Sequence, residues 1–246
     1  MSEERENSAP VETAYLDGAA RDYDEKRFST AAGRTIDRIE QGMLASALES
    51  QDKAARVLDV GCGTGRFLLS ACEKGCRCEA LDASPDMLAE AKKKIAAKYP
   101  ATVFHLGDAA SLPFDDSVFD FVYSIRLLNQ TGSADHALNV VSEMIRVAKP
   151  GSEILIEFVN HFRPRVAGSR ASDGNVYLKP GDVAHAGRKA GASVVKVRGA
   201  FFFGMTAQHR VPGLFRSLLN VVERLLCAIF PKLCARCYIR FLKDGE

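Results

Sequence analysis

The apolar positions of this 246-residue chain change their period several times, and each change marks an element. Between residues 15 and 49, Ile36, Ile39, Met43, Leu44 and Ala47 recur every three or four residues, the spacing of a helix with one apolar face. Short apolar runs then follow at residues 56–60, 77–81, 102–106, 119–124, 153–159 and 193–197, the last extending toward Phe203, and each reads as a strand. Helical segments separate most of them, at 66–74, 84–98, 133–147 and 182–190. Their ends carry local signals. Ser84-Pro85-Asp86 offers an N-cap serine, proline at the first helical position and an acid in the first turn. Gly75, Lys149-Pro150-Gly151 and Gly191 stop helices. Strands alternating with helices predict an α/β fold: a mainly parallel sheet in a three-layer α/β/α arrangement.

Residues 1–14 are polar and read as a disordered tail ahead of a single domain at 15–246, whose first part, 15–50, is a helical cap. The apolar fraction of 47% and charged fraction of 26% are those of an ordinary globular protein, so nothing calls for a fibrous or disordered class. Thirty-three basic residues against 31 acidic ones leave a net charge of +2, which gives no general footprint for nucleic acid. The N-terminus lacks a basic-then-apolar run, and no uninterrupted apolar stretch is long enough to span a bilayer, so a cytoplasmic location is expected. Seven cysteines read as reduced thiols. Neither the lone Cys234-Ala235-Arg236-Cys237 nor the trio Cys72, Cys76 and Cys78 has a second ligand pair, so no metal is expected.

The candidate chemistry begins after the first strand, where Gly61, Gly63 and Gly65 alternate. A turn from a buried strand into a helix at the carboxyl edge of a parallel sheet needs positive φ and close backbone approach, and ligands bind there. The third glycine comes one position earlier than in a dinucleotide fingerprint, and Arg66 stands in its place. Asp59, two residues before the first glycine, disfavours a pyrophosphate and suits a cationic ligand.

Val57 through Gly65 resembles the first motif of class I S-adenosylmethionine-dependent methyltransferases. Leu81 to Leu88, Gly107 to Phe114, Phe119 to Ser124 and Met144 to Gly151 resemble the motifs that follow it, in the same order, closest to the small-molecule branch called type 11. The resemblance covers about residues 55–160. It implies a Rossmann-like sheet of order 3-2-1-4-5-7-6 with strand 7 antiparallel, S-adenosyl-L-methionine as cofactor and S-adenosyl-L-homocysteine as product. Asp59, Gly61, Cys62, Gly63 and Gly65 would then form the cofactor turn. Asp82, with Ala83, would accept from the ribose hydroxyls, and Asp108, with Ala109, would meet the adenine amine. Met87 would pack on the adenine, ordinary helix core being its other reading. The Ser124 carbonyl would meet the methionine amine. Tyr23 and Arg34 are weaker candidates, for closing over the cofactor and for meeting its carboxylate.

Methyl transfer from a sulfonium is an in-line displacement that asks mainly for alignment and exclusion of water. His161, just past the fifth strand, is the weak candidate for a general base, a polar surface residue being the plainer reading. Arg126 and Asn129 are candidates for orienting an acceptor. Ile125-Arg126-Leu127-Leu128-Asn129-Gln130 departs from the signature of enzymes that methylate exocyclic amines of nucleobases, which weighs against nucleic acid. The expected acceptor is a small, apolar or lipid-like molecule. Two other readings stand beside it: an RNA methyltransferase, and a cofactor-binding protein without activity that acts through its C-terminal helix.

If residues 238–242 form the seventh strand, then residues 201–237 are an apolar insertion between strands six and seven, a candidate lid that starts on the ligand side. Residues 212–230 of it read as a helix with a wide apolar face and a narrow polar stripe of Arg216, Ser217, Asn220, Glu223, Arg224 and Cys227. Packing of this helix on the domain is the plainer expectation; residues 210–243 hold seven basic residues and one acid, so peripheral contact with a membrane or with a hydrophobic substrate is the second.

Overall fold

A computed structural model describes residues 20, 22–163, 174–211 and 213–245. The expected tail at 1–14 lies outside the described residues, as does the side chain of Tyr23. Seven strands form one sheet: β1 (Arg56–Val60), β2 (Arg77–Asp82), β3 (Val103–Leu106), β4 (Phe119–Ser124), β5 (Ala148–Val159), β6 (Ala192–Ala200) and β7 (Arg236–Lys243). Their order is β3-β2-β1-β4-β5-β7-β6, as the resemblance implies. The central β1 pairs in parallel with β2 and β4 (Leu58 opposite Glu79 and Val122). Strand β7 runs antiparallel between β5 and β6, with Ile239 opposite Ile156 and Val197.

Alternation along the strands sends side chains to two cores. Leu58, Val60, Val122, Ile154, Ile156 and Phe241 meet α5 (Ala134–Val147) and α6 (Pro180–Lys189) on one face. Val57, Phe121, Tyr123, Leu155 and Tyr238 meet α2 (Ala31–Leu48) and α3 (Leu68–Lys74) on the other, where Leu88 and Ile95 of α4 (Pro85–Ile95) join them. The central strands are covered on both sides, which explains why they read as near-continuous apolar runs.

Four details differ from the sequence expectation. The helical stretch at 15–49 contains two helices, α1 (Tyr23–Phe28) and α2, because Thr30 takes an extended backbone and its hydroxyl caps Gly33 N at 3.0 Å. The turn expected at Lys149-Pro150-Gly151 lies inside β5. It is accommodated by a register shift against β4 between Phe119 and Phe121 and by Gly151 at φ +76°. Strand β6 ends at Ala200, short of Phe203, because Phe201 turns the chain at φ +61°. A short helix, α7 (Met205–Arg210), precedes the long one, α8 (Gly213–Ile229). Both helices lie between β6 and β7 in the chain.

Candidate active site

The carboxyl ends of β1, β2, β3 and β4 open into a cavity of about 570 Å³, within the range typical of small-molecule sites. Its walls include Gly61–Thr64 after β1, Asp82–Pro85 after β2, Gly107–Ala109 after β3 and Ile125–Leu127 after β4. Each group of residues follows a strand whose last position is fixed by pairing in the sheet, so the wall is set by the topology.

The three glycines stand at φ +74°, +53° and +75°, as the turn requires. Packing demands two of them. A Cβ on Gly61 would meet the Leu127 side chain at 2.9 Å, and one on Gly65 would meet Ile95 Cδ1 at 2.8 Å. A Cβ on Gly63 would meet nothing within 4 Å, because Gly63 borders the cavity. The turn leaves room for a ligand at that backbone.

Asp82 closes the turn. Its Oδ2 accepts from Gly63 N at 2.7 Å and its Oδ1 from Ser84 N at 2.9 Å. Burial raises its pKa, and these backbone donors oppose the rise. A carboxylate has about four acceptor sites, so two remain for donors on a ligand.

Asp59 lies deeper, at the end of β1. It is 2% exposed, its Oδ2 has no hydrogen-bond partner among the described residues, and it does not reach the cavity wall. Burial pushes its carboxyl up to about 8, against the pull of the Tyr123 hydroxyl and with the help of the Asp82 charge. The raised value keeps a proton on this buried carboxyl at neutral pH.

Asp108 is held by Ala110 N at 2.9 Å and by His136 Nε2 at 3.2 Å, His136 itself lining the cavity from the first turn of α5. The loop that carries Asp108 is braced from outside. Leu112 N donates to Glu143 at 2.8 Å, while Arg146 donates to Phe114 O at 2.8 Å and to Leu112 O at 3.0 Å. Met87, 4% exposed, Ala83, Cys62 and Ala109 reach the wall too. Burial holds the Cys62 thiol well above its ordinary value, so it is an inert part of the lining.

Several candidates are not brought to the cavity. Ser124 is fully buried, its hydroxyl spent on Val60 O at 2.8 Å, and Gly65 faces α4. Arg34 is exposed and its guanidinium bonds back to Ser29 O, because the break at Thr30 turns that position outward. His161 is exposed, edge-on to the Phe162 ring at 5.5 Å, and its backbone N donates to Leu178 O at 2.9 Å. Asn129 is buried and donates to Asn175 Oδ1 at 2.7 Å. Only Arg126 of the acceptor candidates borders the cavity.

What sequence reading missed is a charged cluster beside the turn. Glu40, fully buried on α2, lies between Arg66 Nη2 at 2.8 Å and Arg126 Nη2 at 2.6 Å, and both arginines line the cavity. Burial pushes Glu40 up, but the two guanidinium charges outweigh it and hold the carboxyl below its ordinary value. Arg66 also stacks on Phe28 (4.1 Å to the ring centre) and Phe67 (4.0 Å). Arg126 keeps φ +68°, a strained value for a side-chain-bearing residue, fixed by Arg126 N donating to buried Glu157 at 2.7 Å. Asp24 of α1 accepts from Thr64 Oγ1 at 3.0 Å and pairs with Lys94 at 2.5 Å, which seats the N-terminal helix over the turn. Arg66 was visible as an odd residue in the glycine motif. Its acidic partners, 26 and more positions away, carried no signal.

This geometry, a glycine turn and acidic residues at consecutive strand ends of a 3-2-1-4-5-7-6 sheet, defines the class of S-adenosylmethionine-dependent methyltransferase folds. The comparisons with known proteins agree. Residues 57–151 match the family described as "Methyltransferase domain". The chain is 35% identical over 106 residues to malonyl-[acyl-carrier protein] O-methyltransferase of Serratia marcescens, covering 43% of this chain and 39% of that one. It is 32% identical over 130 residues to norajmaline N-methyltransferase of Rauvolfia serpentina, covering 51% and 43%. The chain thus spans less than half the length of these two curated relatives. Magnesium protoporphyrin IX methyltransferase of Synechocystis, solved with bound S-adenosylhomocysteine, superposes at a TM-score of 0.65 over 94% of this chain and 97% of that one, with 15% identity. Residues 57–151 thus carry the sequence of a methyltransferase domain, and the described chain has the fold of its solved methyltransferase neighbours.

Proposed function

We propose that the protein transfers a methyl group from S-adenosylmethionine to a small, largely apolar acceptor. The observation that carries this reading is the combination of an open face at Gly63, flanked by Asp82 and Asp108, with the orphaned Asp59 carboxyl behind it. Residues and cofactor match in chemistry. The free acceptor sites of Asp82 suit ribose hydroxyls, Asp108 and Ala109 suit the adenine amine, and Met87 suits the face of the base. A bound ammonium or sulfonium would favour the ionised form of Asp59, which lies behind the turn. Arg66 and Arg126, which line the cavity, suit the cofactor carboxylate better than the exposed Arg34.

S-adenosylmethionine, when bound, supplies a methyl group already activated by its sulfonium. What remains for the chain is to align the acceptor and exclude water. Phe67, Ile125 and Leu127 give the cavity an apolar side for that purpose, and Gln130 and Thr131 give it two polar contacts. Helix α1, tied to Thr64 through Asp24, covers the turn. The two curated relatives are named as an O- and an N-methyltransferase, which supports methyl transfer as the reaction. Incubating the protein with methyl-labelled cofactor and cell extract, then separating lipid, RNA and small polar pools, tests the reading. Label is expected in the lipid-extractable pool; label confined to RNA, or none above a heat-killed control, would overturn it.

A further inference from the structure

Helix α8 is turned the opposite way to a helix that packs on a core. Leu214, Leu218, Val221, Leu225 and Ile229 are exposed by 87%, 63%, 53%, 60% and 65%, and their spacing puts them on one line along the 17-residue helix. The inner face is polar. Glu223 is 5% exposed and accepts from Phe202 N at 2.7 Å and Phe203 N at 3.1 Å. Asn220 accepts from Gln208 Nε2 at 3.1 Å, and Arg216 donates to Val211 O at 3.4 Å. These bonds fix the rotation of the helix. Burying the leucines would strip a buried carboxylate of both its backbone donors, a costly exchange.

A stripe held outward in this way is a surface for a partner. Charge selects the partner. From Met205 to Lys243 the only acid is Glu223, and it faces inward. Arg210, Arg224 and Lys232 are exposed. A second copy seated on the stripe would add like charge, whereas an anionic leaflet neutralises it. Among the described residues no helix is long and apolar enough to cross a membrane, so α8 can only lie on one.

We propose that α8 and the Phe202–Phe203 turn form a docking surface for an anionic phospholipid bilayer. The aromatic end of the surface is continuous, with the Phe202 ring 5.4 Å from Phe203 and 6.3 Å from Phe230. Helix α7 connects the surface to the cavity: Met205 Sδ accepts from Arg126 Nη2 at 3.5 Å, and Arg126 lines the cavity. The docking itself does not depend on methyl transfer and can be measured without cofactor.

The test is flotation of the full chain with vesicles of phosphatidylcholine alone and of phosphatidylcholine mixed equally with phosphatidylglycerol. The protein is expected to float with the mixed vesicles and to be released by high salt. Arg224→Gln and Lys232→Gln should each weaken binding about fivefold. Leu218→Gln with Leu225→Gln should weaken it about tenfold or more, with an unchanged melting curve because both side chains are exposed. Absence of flotation, equal flotation with both vesicle types, or a stable dimer that the double leucine variant dissociates would each overturn the proposal.

Discussion

Replacing Asp59 by Asn should stabilise the protein, and more so as pH rises. The Asp59 carboxyl ordinarily titrates near 3.8 and burial moves it to about 8 in the folded protein. Between those values the folded state holds a proton that the unfolded chain has lost. The stability carried by the protonated carboxyl is therefore complete below pH 3.8 and is lost as pH rises through about 8. A displacement of that size corresponds to an upper limit of roughly 6 kcal/mol, at about 1.4 kcal/mol for each tenfold change in proton affinity. Asparagine has nearly the same shape and does not titrate, so Asp59→Asn avoids this loss. Urea unfolding of both proteins at pH 5.5, 7 and 8.5 measures it. The variant's advantage should grow by about 2 kcal/mol or more across that range, roughly a third of the limit. A difference that is flat with pH, or that favours the wild type increasingly at high pH, would refute the reasoning. The same variant should bind S-adenosylmethionine more weakly, since asparagine cannot ionise in response to a cationic ligand.

Three further outcomes follow from the site. Gly63→Val places a branched side chain at φ +53°, facing the open cavity; isothermal calorimetry should show cofactor affinity falling at least about tenfold, with a stability loss of about 1–2 kcal/mol. Glu40→Ala leaves Arg66 and Arg126 without their shared buried anion and should cost about 3–5 kcal/mol in chemical denaturation, more than most single substitutions. Arg146→Met removes the brace on the loop carrying Asp108 without entering the cavity. It should cost about 2 kcal/mol and weaken cofactor binding, while Asp116→Asn, which removes only its exposed partner, should do neither.

The sheet was legible because parallel strands buried on both faces leave short apolar runs, and because Ser84-Pro85 and Gly75 punctuate the helices between them. The glycine turn was legible for a related reason: positive φ and close approach to α4 admit few residues. Where the reading failed, the deciding contact was tertiary. Resemblance puts Arg34 among the cofactor candidates, but the threonine cap at Thr30 turns it outward, while Arg66 and Arg126 line the cavity. The polar stripe of α8 gave the right residues without their direction. Only the backbone donors of Phe202 and Phe203 show that Glu223 faces inward and the leucines outward. His161 sits at the expected edge of the sheet, yet it is exposed and does not border the cavity.

The central claim is that the turn after β1 and the acids after β2 and β3 hold S-adenosylmethionine. Calorimetric titration of the wild type and of Asp82→Ala with that cofactor tests it most directly, because Asp82 ties the turn through Gly63 N and also faces the cavity. The account predicts saturable binding to the wild type and an affinity at least about tenfold lower in the variant, the loss of one charge-assisted hydrogen bond or more. Absence of binding to the folded wild type, or equal affinity in both proteins, would contradict it.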